Sequence, residues 1–361
     1  MLTIAVDTGP LHGPATGIAR ATSGLVDELS RRDVRVVPYV LSFRAHLAAN
    51  TRRVPLPAAL ALRTWARTSR PRLERLWRDV DVVHGTNYVV PPTRKSRLVS
   101  VYDCWALDHP QYVHTDVRLS MNALRRSVDD GALIHASSYA TARRLHDHFP
   151  EAVVEVVHLG PTDPGPSPVG LPDSIPTVLD SAPFVASIGT IERRKNVPTL
   201  IGAFARLAEV HPDVRLVIAG SMGDDATMVD EALNTSSPTT RARIHLLGRV
   251  DDRTAAWILR RARVLAYPSL DEGFGFPLLE AMACEVPIVA SDAGSIPEIA
   301  GDAALLVPAS DVDELARALG RALTDDVLRQ RLIETGRSRR ADFSWTATVD
   351  RFMELYERMA R

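Results

Sequence analysis

Glu272 and Glu280 stand eight positions apart at the two ends of the run Glu272-Gly-Phe-Gly-Phe-Pro-Leu-Leu-Glu280, which Asp271 precedes. Gly273 and Gly275 let backbone N–H groups approach an anion closely. Pro277 is preset for the first turn of a helix, whose N-terminus attracts phosphate. Glu280, one turn in, can accept hydrogen bonds from vicinal hydroxyls. The chemistry these residues offer is the holding of a sugar and its phosphates. A surface loop capped by Asp271, with Glu280 merely solvated, also fits the spacing taken alone.

The flanks decide between the two. Val264-Leu-Ala-Tyr267 reads as a buried strand and Pro287-Ile-Val-Ala-Ser291 as another, so the glycine loop and its helix form part of an α/β unit. Ligands of such units sit at the carboxyl ends of the strands, where Glu272 falls. The run Pro268-Ser-Leu-Asp-Glu-Gly-Phe-Gly-Phe-Pro-Leu-Leu-Glu-Ala-Met-Ala283, with Pro287-Ile-Val-Ala-Ser291 and Gly294-Ser-Ile-Pro-Glu298, resembles the signature of family-4 retaining glycosyltransferases.

The resemblance implies a donor site. In Gly189-Thr-Ile-Glu-Arg-Arg-Lys195-Asn196 a strand ends in a glycine turn before a helix; it is similar to the family's Glu-Pro-Arg-Lys-Asn element, with Arg193 where proline is common. Arg194 and Lys195 would then neutralise a diphosphate, Arg as a fork across two oxygens and Lys as a point charge. Ile244-His-Leu-Leu-Gly248-Arg249-Val250 resembles the element that holds the base through backbone atoms, which leaves the base open. The implied donor-binding set is Gly17, Gly189, Arg249, Val250, Gly273, Phe274, Gly275, Leu279 and Glu280, with Glu272 orienting the sugar through its hydroxyls.

The first half is expected to serve the acceptor. Thr16-Gly17-Ile-Ala-Arg20 opens the first helix, and in the family this turn comes near the donor diphosphate and sugar. Asp81-Val-Val-His84-Gly-Thr-Asn87 resembles an acceptor-side strand and loop, so His84 and Asn87 are acceptor-side candidates, although His84 also reads as a satisfied core histidine. At Val101-Tyr102-Asp103 the family often has His-Asp. Tyr102 can donate a hydrogen bond there but carries no positive charge near neutral pH, and Asp103 is a candidate for the acceptor hydroxyl.

Positioning these residues takes two domains, and 361 residues suit two. Apolar strands alternate with helical patterns through both halves, including Leu2–Val6, Val34–Tyr39 and Leu133–Ala136 in the first, and Phe184–Ile188, Val197–Val210 and Val214–Ala219 in the second. The expected fold is α/β of the GT-B type, two Rossmann-like domains facing a cleft. Residues 1–160 would bind acceptor, 161–183 would be a Pro/Gly-rich linker, 184–342 would bind the nucleotide sugar, and 343–361 would be a helix crossing back to the first domain.

A net charge of −1 argues against bulk nucleic-acid binding. Cys104 and Cys284 lie far apart without metal-ligand spacing. The start reads as a strand with no basic flank, and no stretch reaches 18 uninterrupted apolar residues, so a cytoplasmic location is expected. Residues 41–80 carry Arg44, Arg52, Arg53, Arg63, Arg67, Arg70, Arg72, Arg75 and Arg78 interleaved with Trp65 and Trp77, either a solvated face or a peripheral contact with an anionic inner membrane face.

The implied reaction moves a hexose from a nucleotide-diphosphate sugar, of GDP-mannose or UDP-glucose type, to a saccharide or lipid-linked acceptor with retained anomeric configuration. The charge on the leaving group would be met by Lys195, Arg194 and a helix dipole, so no metal and no cofactor beyond the donor is expected. Two other classes stand against this reading. A dehydrogenase or epimerase lacks support, since no Gly-x-Gly-x-x-Gly follows the first strand and no Tyr-x-x-x-Lys occurs. A catalytically silent nucleotide-sugar-binding homologue, acting as a scaffold, is the rival that Tyr102 encourages.

Overall fold

The computed structural model describes residues 1–13, 16–42, 50–165 and 170–361. The chain divides into two compact units, Met1–Gly160 with Phe343–Arg361, and Pro161–Asp342. Arg44 of the basic segment and residues 166–169 of the expected linker lie outside the described residues.

Among the described residues, unit 1 is built on a seven-stranded parallel sheet: β1 (Thr3–Asp7), β2 (Arg35–Val40), β3 (Arg52–Arg53), β4 (Val82–Gly85), β5 (Ser96–Val101), β6 (Leu133–Ala136) and β7 (Val154–Val156), in the order β3-β2-β1-β4-β5-β6-β7. Successive strand residues face opposite sides. Ile4, Val6, Val82 and Leu98 accordingly join one apolar cluster while Ala5, Val83 and Val99 join another. Burial on both faces explains why these strands read as unbroken apolar runs rather than as alternations. The first cluster is covered by Leu25 and Leu29 of the helix Gly17–Leu29 and by Val349, Phe352, Leu355 and Tyr356 of the last helix, Trp345–Ala360.

Unit 2 repeats the design with β8 (Phe184–Ile188), β9 (Arg215–Ala219), β10 (Ile244–Gly248), β11 (Val264–Tyr267), β12 (Ile288–Ser291) and β13 (Ala304–Val307), ordered β10-β9-β8-β11-β12-β13. In each sheet the order reverses beside the unit's first strand, between β1 and β4 and between β8 and β11. Those reversals are the places where an α/β sheet holds ligands.

The basic segment departs from one expectation. Trp65, the last residue of the helix Ala58–Trp65, is 2% exposed and Trp77 is fully buried, both within the core of unit 1. Indole rings are large apolar surfaces, and here they fill the interior instead of facing a lipid headgroup layer. Arg52 donates to the Leu76 carbonyl at 2.5 Å and pairs with Asp79 at 2.8 Å. Arg63, Arg67, Arg70, Arg72, Arg75 and Arg78 are exposed. Among the described residues no helix is long and apolar enough to cross a membrane.

Candidate functional site

The turns leaving β8 and β11 bring together residues 77 and 78 positions apart. After β8 the chain makes a short helical turn, Arg193–Lys195, and Asn196 closes it in the left-handed region at φ 55°. The Asn196 amide donates to the carbonyls of Pro268 (3.1 Å) and Ala309 (2.7 Å), which locks this turn to the loop after β11. That loop runs through Asp271 and Glu272 to Gly275, whose φ of 97° suits glycine, and into the helix Phe276–Ala283 with proline in its first turn.

Glu272 is the centre of the arrangement. Its Oε1 lies 2.5 Å from Lys195 Nζ and 2.7 Å from the Ser269 hydroxyl, and its Oε2 lies 2.6 Å from Arg194 Nη1. The carboxylate side chain is only 6% exposed. Burial by itself raises a carboxyl, but Arg194 and Lys195, helped by hydrogen bonds from Lys195 and Ser269, overcome it and bring Glu272 down to about 2. Burial also pulls the Lys195 ammonium below the usual lysine value, with Glu272 pulling the other way. Tyr267 gives that ammonium a second anchor, its hydroxyl at 3.1 Å and its ring centroid at 4.9 Å.

The loop after β12 supports this from behind. Gly294 has φ 57°, and a Cβ there would sit 2.6 Å from the Glu272 backbone nitrogen. Without it the loop comes close enough for Ser295 N–H to donate to the Glu272 carbonyl at 3.0 Å. Ser269, Tyr267 and Gly294 were missed from the sequence. The signal for Ser269 was its place three residues before Glu272; nothing local marked the others.

The remaining donor-side expectations fall in several places. Glu280 is 5% exposed and accepts a hydrogen bond from the Thr162 hydroxyl, 118 positions away. Gly189, Gly273 and Gly275 belong to the turns at the reversal, and Phe274 packs edge-on against Phe276 with centroids 5.3 Å apart. Leu279 is fully buried, so its side chain faces the core and not a donor. Arg249 is exposed and Val250 half-buried just past β10, two strands or about 10 Å along the sheet from β8.

In unit 1 the reversal lies between β1 and β4, where the Thr86 hydroxyl donates to the Asp7 carbonyl at 2.8 Å. Asp7, not anticipated, ends β1; burial pushes its carboxyl up to about 7 against a 2.8 Å hydrogen bond from Gly9 N–H. Asn87 and Gly17 are exposed, and Thr16 caps the helix by accepting from Ala19 N–H. Asp103 is half-buried, with Oδ1 accepting from Trp105 N–H at 3.1 Å.

His84 and Tyr102 lie in the interior of unit 1, His84 as the core histidine that the sequence also allowed. His84 is fully buried in a chain of hydrogen bonds whose direction can be deduced. The Val157 carbonyl only accepts, so His135 Nε2 carries the proton at 3.0 Å, and His135 Nδ1 accepts from the Ser100 hydroxyl at 2.8 Å. Ser100 oxygen then accepts from His84 Nε2 at 2.8 Å, and His84 Nδ1 accepts from the Tyr356 hydroxyl at 2.7 Å. Both rings are neutral, since burial lowers His84 well below the ordinary histidine value and His135 to about 4. The network satisfies buried polar groups and fastens the last helix to the sheet. Tyr102 is 9% exposed with its hydroxyl held between Ser100 and Thr22, so it joins this interior.

Comparison with known proteins agrees with the geometry. Residues 175–339 match the family described as glycosyl transferases group 1. The chain is 29% identical to O-antigen chain mannosyltransferase B of Escherichia coli over 97% of its own length and 98% of that protein's. It is 36% identical to the phosphatidyl-myo-inositol mannosyltransferase of Mycobacterium leprae, over 47% of this chain and 44% of the relative. Among solved structures, sucrose-phosphate synthase from Thermosynechococcus elongatus superposes with a TM-score of 0.75 at 19% identity, covering 99% of each chain.

Two parallel-sheet α/β units of this kind are those of the GT-B fold. Residues 175–339 thus resemble the group 1 glycosyl transferases, and this match together with the mannosyltransferase relatives supports a hexosyltransferase enzyme.

Proposed function

We propose that the protein transfers a hexose, with mannose ahead of glucose, from a nucleoside-diphosphate sugar to a hydroxyl of a saccharide or lipid-linked acceptor with retention of configuration. The observation that carries the donor class is the convergence of Arg194 and Lys195 on one buried carboxylate. The loop that bears this carboxylate leads straight into the helix Phe276–Ala283. Two fixed cations and a helix N-terminus form a site for a diphosphate. Mannose and an envelope glycan or lipid acceptor are supported by the names of the Escherichia coli and Mycobacterium leprae relatives.

On this reading the leaving diphosphate takes its stabilisation from Lys195 and Arg194, and Glu272 holds the sugar hydroxyls. Metal independence follows as part of the proposal, because protein cations fill the role a divalent ion would have. Calorimetric titration in EDTA with GDP-mannose, UDP-glucose and ADP-glucose tests the donor class: micromolar binding of one is expected, and heatless titrations with all three would refute it. The anomer of the product, read by NMR, tests retention.

Peripheral membrane contact through the exposed arginines between 63 and 78 belongs to the same proposal. Anionic vesicles should co-sediment the protein at low salt and release it at high salt, about 1 kcal/mol being available per basic residue at the surface. Equal sedimentation with neutral and anionic vesicles would remove this part.

A further inference from the structure

We propose that Asp7 and Asn87, at the strand reversal of unit 1, form a subsite for two neighbouring hydroxyls of a neutral sugar and thereby select the acceptor. The inference rests on the transfer proposed above and names the acceptor chemistry that unit 1 takes.

Two independent features meet at this reversal. The first is a strained turn. Tyr88 stands at φ 59° while Val89 N–H donates to the Asn87 carbonyl at 2.7 Å, which is the rare, strained form of three-residue turn. The turn is held from several sides. Tyr88 N–H donates to the Ser100 carbonyl at 3.0 Å, and the Tyr88 hydroxyl accepts from Asp103 N–H at 3.4 Å. The chain folds back so closely that a Cβ on Gly85 would lie 1.9 Å from the Val89 carbonyl oxygen. What this fixes in place is Asn87, exposed just past the end of β4.

The second feature is a carboxyl without a counter-charge. Asp7 ends β1 on the face that Ala5 shares, but it is only partly covered whereas Ala5 is in the core. Gly9 N–H donates to its Oδ1 at 2.8 Å, and among the described residues no basic side chain pairs with either oxygen. The titratable groups that feel its charge are the phenols of Tyr39 on β2 and Tyr102 after β5, both pushed above the ordinary tyrosine value by burial and so neutral. Burial keeps the Asp7 proton on until about 7, and above that the carboxylate needs hydrogen-bond donors. The Thr86 hydroxyl, 2.8 Å from the Asp7 carbonyl, ties the two strand ends together, so carboxyl and amide flank one reversal.

A carboxylate accepts from hydroxyls, and an amide both donates and accepts, so the pair can read two adjacent hydroxyls. With no basic side chain on Asp7 to draw an anion, a phosphate gains nothing there and is repelled by the carboxylate. The chemistry that fits is the vicinal diol of a pyranose.

Saturation-transfer NMR of the full chain with methyl α-mannopyranoside tests this in the wild type, Asp7→Asn and Asn87→Ala. Asparagine at position 7 keeps an oxygen for Gly9 N–H, and Asn87 is exposed, so both variants should melt like the wild type. The wild type should bind the glycoside, more tightly as pH rises through about 7, since the ionised carboxyl is the form that accepts. Inorganic phosphate should not compete. Each substitution should weaken binding about tenfold, and Asp7→Asn should also remove the rise with pH, which a merely structural role would not do. A wild type that does not bind the glycoside, undiminished binding in either variant, or displacement by phosphate would overturn the inference. The probe carries no nucleotide, so heatless donor titrations would remove the donor class proposed above and leave this result to be read separately.

Discussion

Lys195→Met is expected to lower kcat/KM for hexose transfer about 100- to 1,000-fold, the usual cost of deleting one preorganised donor aimed at developing charge. The ammonium is fixed before any ligand arrives: Glu272 holds it at 2.5 Å, Tyr267 at 3.1 Å, and the ring of Tyr267 lies beneath it. Tyr267 keeps the ammonium in place when a diphosphate draws it from Glu272, so only part of its setting has to reorganise. The fold should survive the change, because Glu272 keeps Arg194 at 2.6 Å and Ser269 at 2.7 Å. Lys195→Arg should recover only part of the loss, since a planar fork does not occupy the point charge's position. Initial rates within threefold of wild type for Lys195→Met would remove the ammonium from the transition state.

Phe352→Ala is expected to destabilise unit 1 by about 3–5 kcal/mol, the range for emptying an aromatic site in a packed core. Phe352 is 1% exposed and its ring lies 4.7 Å from His135, 5.5 Å from His84 and 5.7 Å from Tyr356. It therefore fills the space beside the histidine network as well as covering Leu98 and Val82 in the same cluster. Loss of the ring would let the last helix loosen and leave the network's hydrogen bonds to water. Urea denaturation measures this, and a change below about 1 kcal/mol would show that the helix is fastened elsewhere.

Much of unit 2 was legible. The strands Phe184–Ile188, Val264–Tyr267 and Ile288–Ser291 and the helix Val197–Val210 appear at the expected residues, because each is a compact apolar run bounded by proline, glycine or asparagine. The helices Val312–Thr324 and Asp326–Ala341 went unread although aspartates cap both, at Asp311 and Asp325. Leu315, Ala318, Leu319 and Ala322 carry the helical period in the first of these.

The site was legible as a set of residues but not as a set of contacts. Arg194, Lys195 and Glu272 could be named from their runs; that they form one buried ion cluster depends on β8 and β11 being neighbours, which strand order settles and local pattern does not. Thr162 meets Glu280 across 118 positions, and nothing in either run points to the other. Tyr102 and His84 were drawn to a ligand by their neighbours in sequence, whereas Tyr356, 272 positions beyond His84, decides that histidine's role. Trp65 and Trp77 read as part of a basic aromatic stripe because the pattern gave no hint of which side of the chain faces the core.

The central claim is that the cations now paired with Glu272 are the diphosphate site. The most direct measurement is a crystal structure of the protein with the nucleoside diphosphate that titration selects. The account predicts phosphate oxygens within hydrogen-bonding distance of Lys195 Nζ and the Arg194 guanidinium, with Glu272 withdrawn from at least one of them. A diphosphate bound elsewhere, with both ion pairs intact at 2.5 and 2.6 Å, would contradict it.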